Sequence, residues 1–227
     1  INGLVVVGGS GVDKQQIKKV DQLKLSDKDV NSTGGNDNIS TSLKWKSLAG
    51  LNTPREDTAL CLFSDKNNIN KEYMIVCGGW SNGCLKKCEL YNFNLNKWLN
   101  ISDMNLKHNA AGIAGWKHKD SILICGGFNT EAHYACEYFD LIKQKWNKLP
   151  NTNYKHRYKP ATWIDIDNPN IICTAGNGVL KKEVGYIEYL DTRDKEWQTL
   201  NVPLSKLMSL GDQINPNNWR MWRIFHP

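Results

Sequence analysis

The residues able to do chemistry in this protein recur in phase. Glu89, Glu137 and Glu188 stand at matching places in a repeating pattern, and Arg55, His108 and Arg157 stand at another. Carboxylates near His or Arg are the materials of acid–base catalysis and of anion binding. A catalytic carboxylate is normally unique in its protein, however, so a repeated set reads as bonding to neighbouring backbone or Lys. His108 and Arg157 occupy equivalent positions, which singles out neither as catalytic. Cys84 and Cys88 form a C-x3-C pair, but no second pair or nearby His completes a tetrahedral zinc set. No metal, no other cofactor and no catalytic residue is expected.

These side chains are spaced by a repeat. Gly78-Gly79 is followed by Glu89 and Trp98, and Gly126-Gly127 by Glu137 and Trp146; the glycines and the tryptophans recur at the same interval. Ala175-Gly176, Glu188 and Trp197 form a looser copy, and Gly8-Gly9, Asp21 and Trp45 a stretched one. A unit of this length cannot bury its own apolar face, so the copies must stack.

Within each copy the pattern is β. The runs 4–9, 72–79, 120–127 and 171–176 are apolar and end in glycine, as suits buried strands closed by tight turns. A second strand carries the acidic residue (20–24, 88–92, 136–140, 187–191) and a third carries the Trp. A further strand precedes the glycines, from Arg55 to Phe63, His108 to Trp116 and Arg157 to about Ile164. Each unit is therefore four short antiparallel strands. Trp45, Trp98, Trp146 and Trp197 are expected to pack between units.

A hydrophobic strand ending in Gly-Gly, then Glu137-Tyr-Phe-Asp140, then Trp146 six residues later resembles the kelch motif; Asn92 replaces the Asp in another copy. The resemblance covers roughly residues 4 to 200. It implies an all-β, kelch-type β-propeller segment of four-stranded antiparallel blades packed around a channel. The copies fall at about 1–50, 51–102, 103–150 and 151–200, giving three complete blades and a partial first one. Residues 201–227 form a tail or open a further blade. With 227 residues, a start in mid-blade and no initiating Met, the sequence reads as part of a longer propeller.

Composition narrows the partners. The net charge is +6, carried by 24 Lys and only 5 Arg scattered among many Asn, which reads as a solvated surface and not as a nucleic-acid site. Trp219-Arg-Met-Trp-Arg223 is the one basic–aromatic cluster, and it reads as the start of a further blade. No apolar run approaches the ~20 residues of a membrane span. Cys77 matches Cys125 and Cys88 matches Cys136, as small buried hydrophobes would. Free core thiols point to a reducing, cytoplasmic setting.

Antiparallel strands send alternate loops to opposite faces. Two insertions, Ser26 to Ser42 and Asp65 to Lys71, fall on one face and read as tolerated surface. The other face collects Ser10, Trp80, Asn82, Phe128, Asn129 and Asn177 just after the glycines, with Arg55, His108 and Arg157 at the starts of the innermost strands. In peptide-binding kelch propellers these loops form the ligand surface. The resemblance therefore implies Trp80 and Phe128 as anchors and Arg55 and Arg157 as carboxylate partners, for a protein or peptide of acidic character. Kelch propellers often present substrates to a ubiquitin ligase or bind the cytoskeleton. Others are enzymes, copper radical oxidases or sialic-acid mutarotases, but His118, His133 and His226 do not sit at matching loop positions for an axial metal set.

Overall fold

The structure is a computed structural model, and it describes residues 3–24, 44–64, 72–156, 159–176 and 186–200. In sequence order the strands are β1 (Gly3–Val7), β2 (Val20–Lys24), β3 (Trp45–Ser47), β4 (Ala59–Ser64), β5 (Glu72–Cys77), β6 (Cys88–Asn92), β7 (Lys97–Ile101), β8 (Gly112–Trp116) and β9 (Ser121–Cys125). They continue with β10 (Phe128–Asn129), β11 (Glu131–Ala132), β12 (Cys136–Asp140), β13 (Lys145–Lys148), β14 (Ala161–Ile164), β15 (Ile171–Gly176), β16 (Tyr186–Asp191) and β17 (Gln198–Leu200). A single 3-10 turn, Lys117–Lys119, is the only helical element among the described residues.

These strands form blade-like antiparallel sheets. Three are four-stranded, β4-β5-β6-β7, β8-β9-β12-β13 and β14-β15-β16-β17, and one is three-stranded, β1-β2-β3. The second strand of each four-stranded sheet is buried on both faces or nearly so, which is why its sequence is a continuous apolar run. Met74 and Val76 of β5 pack toward the first sheet, and Ile75 and Cys77 toward the third. In β9, Ile122 and Ile124 face the second sheet while Leu123 and Cys125 face the fourth. The first strands β4, β8 and β14 lie side by side. Gly112 permits this approach, since a Cβ there would overlap the Thr162 hydroxyl and the Pro160 carbonyl.

Three of the buried Trp side chains each help close a different interface between sheets. Trp98, Trp146 and Trp197 sit in the three successive apolar clusters. Their indole N–H groups donate to Ala49, Ser102 and Pro150 carbonyls at 2.9, 2.8 and 2.8 Å. Trp45 corrects the expectation for its copy. It is 51% exposed, because no sheet lies against that side of β3 among the described residues. A second departure is the small hairpin β10–β11, turned at Thr130 in the left-handed region (φ 61°), which the repeat did not announce. Both insertions, Ser26 to Ser42 and Asp65 to Lys71, lie outside the described residues, as does the tail 201–227.

All seven cysteines are free thiols, and Cys77, Cys88, Cys125 and Cys136 are buried. They face each other across strands, Cys77 opposite Cys88 and Cys125 opposite Cys136. Burial pushes the Cys77 and Cys125 thiols well above their ordinary value, so they resist becoming the reactive thiolate. Alkylation of the native protein, followed by mass spectrometry, should leave these four unlabelled while Cys84 reacts. Rapid labelling of Cys77 or Cys125 would contradict this packing.

Candidate functional site

The connections between sheets, 49–55, 102–108 and 150–156, carry the recurrent basic residues, and they place them inside. Arg55 has 0% exposure. Its guanidinium donates to Glu89 Oε1 at 2.6 Å and to the Gly78 and Lys87 carbonyls, each at 2.8 Å. His108, also buried, lies 2.7 Å from the Gly126 carbonyl and 3.1 Å from Glu137 Oε1. Each of its ring nitrogens faces an oxygen acceptor, as the Arg55 guanidinium nitrogens do.

The third member is His156 and not Arg157. His156 Nε2 lies 2.7 Å from Glu188 Oε2. Its carbonyl also accepts the Gly127 N–H, as those of Arg55 and His108 accept the Gly9 and Gly79 N–H groups. Counting four residues back from the first strand fails here because this connection has one residue more. The left-handed residue that follows is two places on in Asp57 and Ala110 but three on in Lys159. Arg157 itself lies outside the described residues, as does Asn177.

The buried carboxylates do what a repeated carboxylate was expected to do, and bond backbone. Glu89 accepts the Asn52 and Thr53 N–H groups at 2.7 and 3.0 Å, Glu137 those of Asn105 and Leu106 at 3.0 and 3.2 Å, and Glu188 those of Asn153 and Tyr154 at 2.7 and 3.1 Å. Burial pushes the Glu137 carboxyl upward, but the His108 ring and the two backbone donors outweigh it and hold the group below its ordinary value. A legible signal was available: Asn52, Asn105 and Asn153 each precede the basic residue by three. Arg55 and His108 are thus spent within the fold, which corrects their expected role as surface contacts.

What remains on the loop face is aromatic and polar. Trp80 is 37% exposed and is fixed at both backbone groups, its N–H donating to the Glu56 carbonyl at 2.8 Å and its carbonyl accepting from Glu56 N at 3.1 Å. Phe128, partly buried, makes the same reciprocal bridge to Asn109. The two bridges are joined, because the Ala110 N–H donates to the Asp57 carbonyl at 2.9 Å and the Lys159 N–H to that of Ala110 at 2.6 Å. One backbone belt therefore carries Trp80, Phe128 and Asn129, with Asn82 in the adjoining exposed loop. Two of the described cations here are already matched, Lys155 with Glu131 at 2.9 Å and Lys159 with Asp57 at 3.1 Å. Glu56 accepts from Ser10 and from Gln16.

Beside this belt a groove of about 280 Å³ runs between the 102–108 connection and the start of β12, lined by Leu106, His133, Tyr134 and Leu149 among others. His133 packs edge-on against His108 at 4.6 Å. Burial first, and the nearby His108 second, push its pKa down to about 4. The folded state therefore favours neutral His133, and that contribution to stability is present above the unfolded value near 6.5 and lost as pH falls toward 4. Histidine NMR should show His133 titrating near pH 4, and a midpoint above 6 would refute this packing.

Among the described residues no three His, Cys, Asp or Glu side chains converge as a metal set, and no helix is long and apolar enough to cross a membrane. No protein-family model matches the sequence, and no curated protein matches it.

Proposed function

We propose that the protein is a non-catalytic protein-interaction scaffold of kelch type, which binds a protein or peptide through the belt bearing Trp80 and Phe128. The observation that carries this reading is the presentation of Trp80. A large aromatic is held partly in solvent by two backbone bonds, so little conformational freedom is lost when a partner covers it. Aromatic anchors of this kind dominate binding energy at interfaces. The loss of the recurrent Glu, Arg and His groups to internal bonds supports a role without acid–base chemistry. With Arg55 buried and Lys155 and Lys159 paired, recognition rests on packing against Trp80 and Phe128 and on Asn82 and Asn129.

Partners isolated by affinity capture should bind a Trp80→Ala, Phe128→Ala double variant at least about 2 kcal/mol more weakly, near thirtyfold, with an unchanged melting temperature. Trp45→Ala, on an exposed strand elsewhere, should leave binding intact. A partner that tolerates the double variant but is lost on deleting residues 31–38 would place the interface on the opposite face.

A further inference from the structure

We propose that Asn82 is a site of spontaneous deamidation, a built-in chemical modification on the aromatic belt. Residues 81–83 form a tight loop closed by the Trp80–Cys84 bridge and by the Ser81 N–H donating to the Gly83 carbonyl at 3.0 Å. Asn82 is exposed and left-handed (φ 52°) at its apex. Its side-chain amide bonds to no other described residue. Gly83 follows at φ 141°, with no atom within 4 Å of where a Cβ would stand. The nitrogen that must attack is therefore unhindered, and its N–H is not held in a backbone hydrogen bond among the described residues.

The chemistry needs only water. The Gly83 backbone nitrogen loses its proton to solvent base and attacks Asn82 Cγ. A new C–N bond closes a five-membered succinimide, the bond from Cγ to Nδ2 breaks, and Nδ2 leaves as ammonia after taking a proton. Water then opens the ring at one carbonyl or the other, leaving an Asp or an isoaspartyl link that runs the backbone through the former side group. The sum is amide plus water to carboxylic acid plus ammonia, with no oxidation.

Both products alter the surface on which the proposed function rests. Each places a new negative charge in the loop next to Trp80, whose backbone is bridged to Glu56. The isoaspartyl form also adds a backbone carbon inside a loop only three residues long, so the Trp80–Cys84 bridge and the Ser81–Gly83 bond cannot both keep their geometry. Trp80, pinned by the first of these, is re-aimed.

The test ages the full-length protein at mildly alkaline pH and follows the tryptic peptide 72–86 by mass spectrometry, with chromatography to separate Asp from isoaspartate. Asn82 should convert about tenfold or more faster than exposed Asn94, whose next residue is the bulkier Leu95. Asn82→Gln should abolish the shift. Conversion of Asn82 no faster than Asn94 in the folded protein overturns the proposal, even where the excised peptide converts readily. Binding is then compared between aged and fresh protein. Modification without any change in partner affinity leaves the site standing and counts against Trp80 as an anchor.

Discussion

Replacing Arg55 by Met should lower the unfolding free energy by about 3–5 kcal/mol, because it strands a carboxylate that has no access to water. Glu89 would keep its two backbone donors and lose the guanidinium at 2.6 Å. The Gly78 and Lys87 carbonyls would lose their bonds as well. Arg55→His should cost less, since His108 and His156 fill the same place against Glu137 and Glu188. Adding Glu89→Gln to Arg55→Met should recover part of the loss, a coupling that a double-mutant cycle in urea measures directly. A single-variant loss below about 1 kcal/mol would mean the pair is solvated, contrary to its burial.

Gly78→Ala should be as damaging, at about 3–5 kcal/mol or failure to fold. Gly78 sits at φ 63°, and a Cβ there would fall deep inside the His108 carbonyl oxygen. That oxygen accepts the Gly79 N–H at 2.8 Å, one of the backbone bonds tying the second sheet to the next connection. Gly126→Ala should be slightly milder, with its Cβ 2.6 Å from the His156 oxygen. Gly9→Ala is the control. Its φ of 107° is strained for any side chain, but nothing lies within 4 Å of the added carbon. Its cost should therefore stay near the backbone strain alone, about 1–2 kcal/mol. Equal melting temperatures for Gly78→Ala and Gly9→Ala would show that the steric reading of the double glycine is wrong.

The repeat made the sheets legible from sequence because its markers are steric and apolar. Double glycines mark where backbones meet, Trp marks where sheets meet, and both-sided burial writes the second strand as an unbroken hydrophobic run. The candidate site was harder to read. An Arg or His in a connecting segment has the composition of a surface residue, and its burial follows only when its phase is matched to that of the Glu series. That match was hidden in the last copy, where one added residue before β14 displaced His156 from the count and drew attention to Arg157. Trp45 was misread for the opposite reason. Its phase promised packing, but packing needs a second surface, which a single strand's sequence does not contain. Asn82 was legible as a loop residue because it closely follows the glycines, whereas Phe128 and Asn129, at the same place in the next copy, pair as a strand.

The connections have a consequence for how such a protein can be cut or shuffled. Trp98, Trp146 and Trp197, and the buried Glu89, Glu137 and Glu188, are each satisfied by the segment that arrives just before their own sheet, at 49–55, 102–108 and 150–156. The unit that keeps each of these indoles and carboxylates with its partners therefore starts at the connection and ends with the Trp strand, while the bonds from the connection back to the preceding sheet must be supplied anew at the join. A chimaera joined just before Ala49, Ser102 or Pro150 brings that carboxylate and that indole N–H their partners, whereas one joined at the first strand takes those partners from a foreign segment.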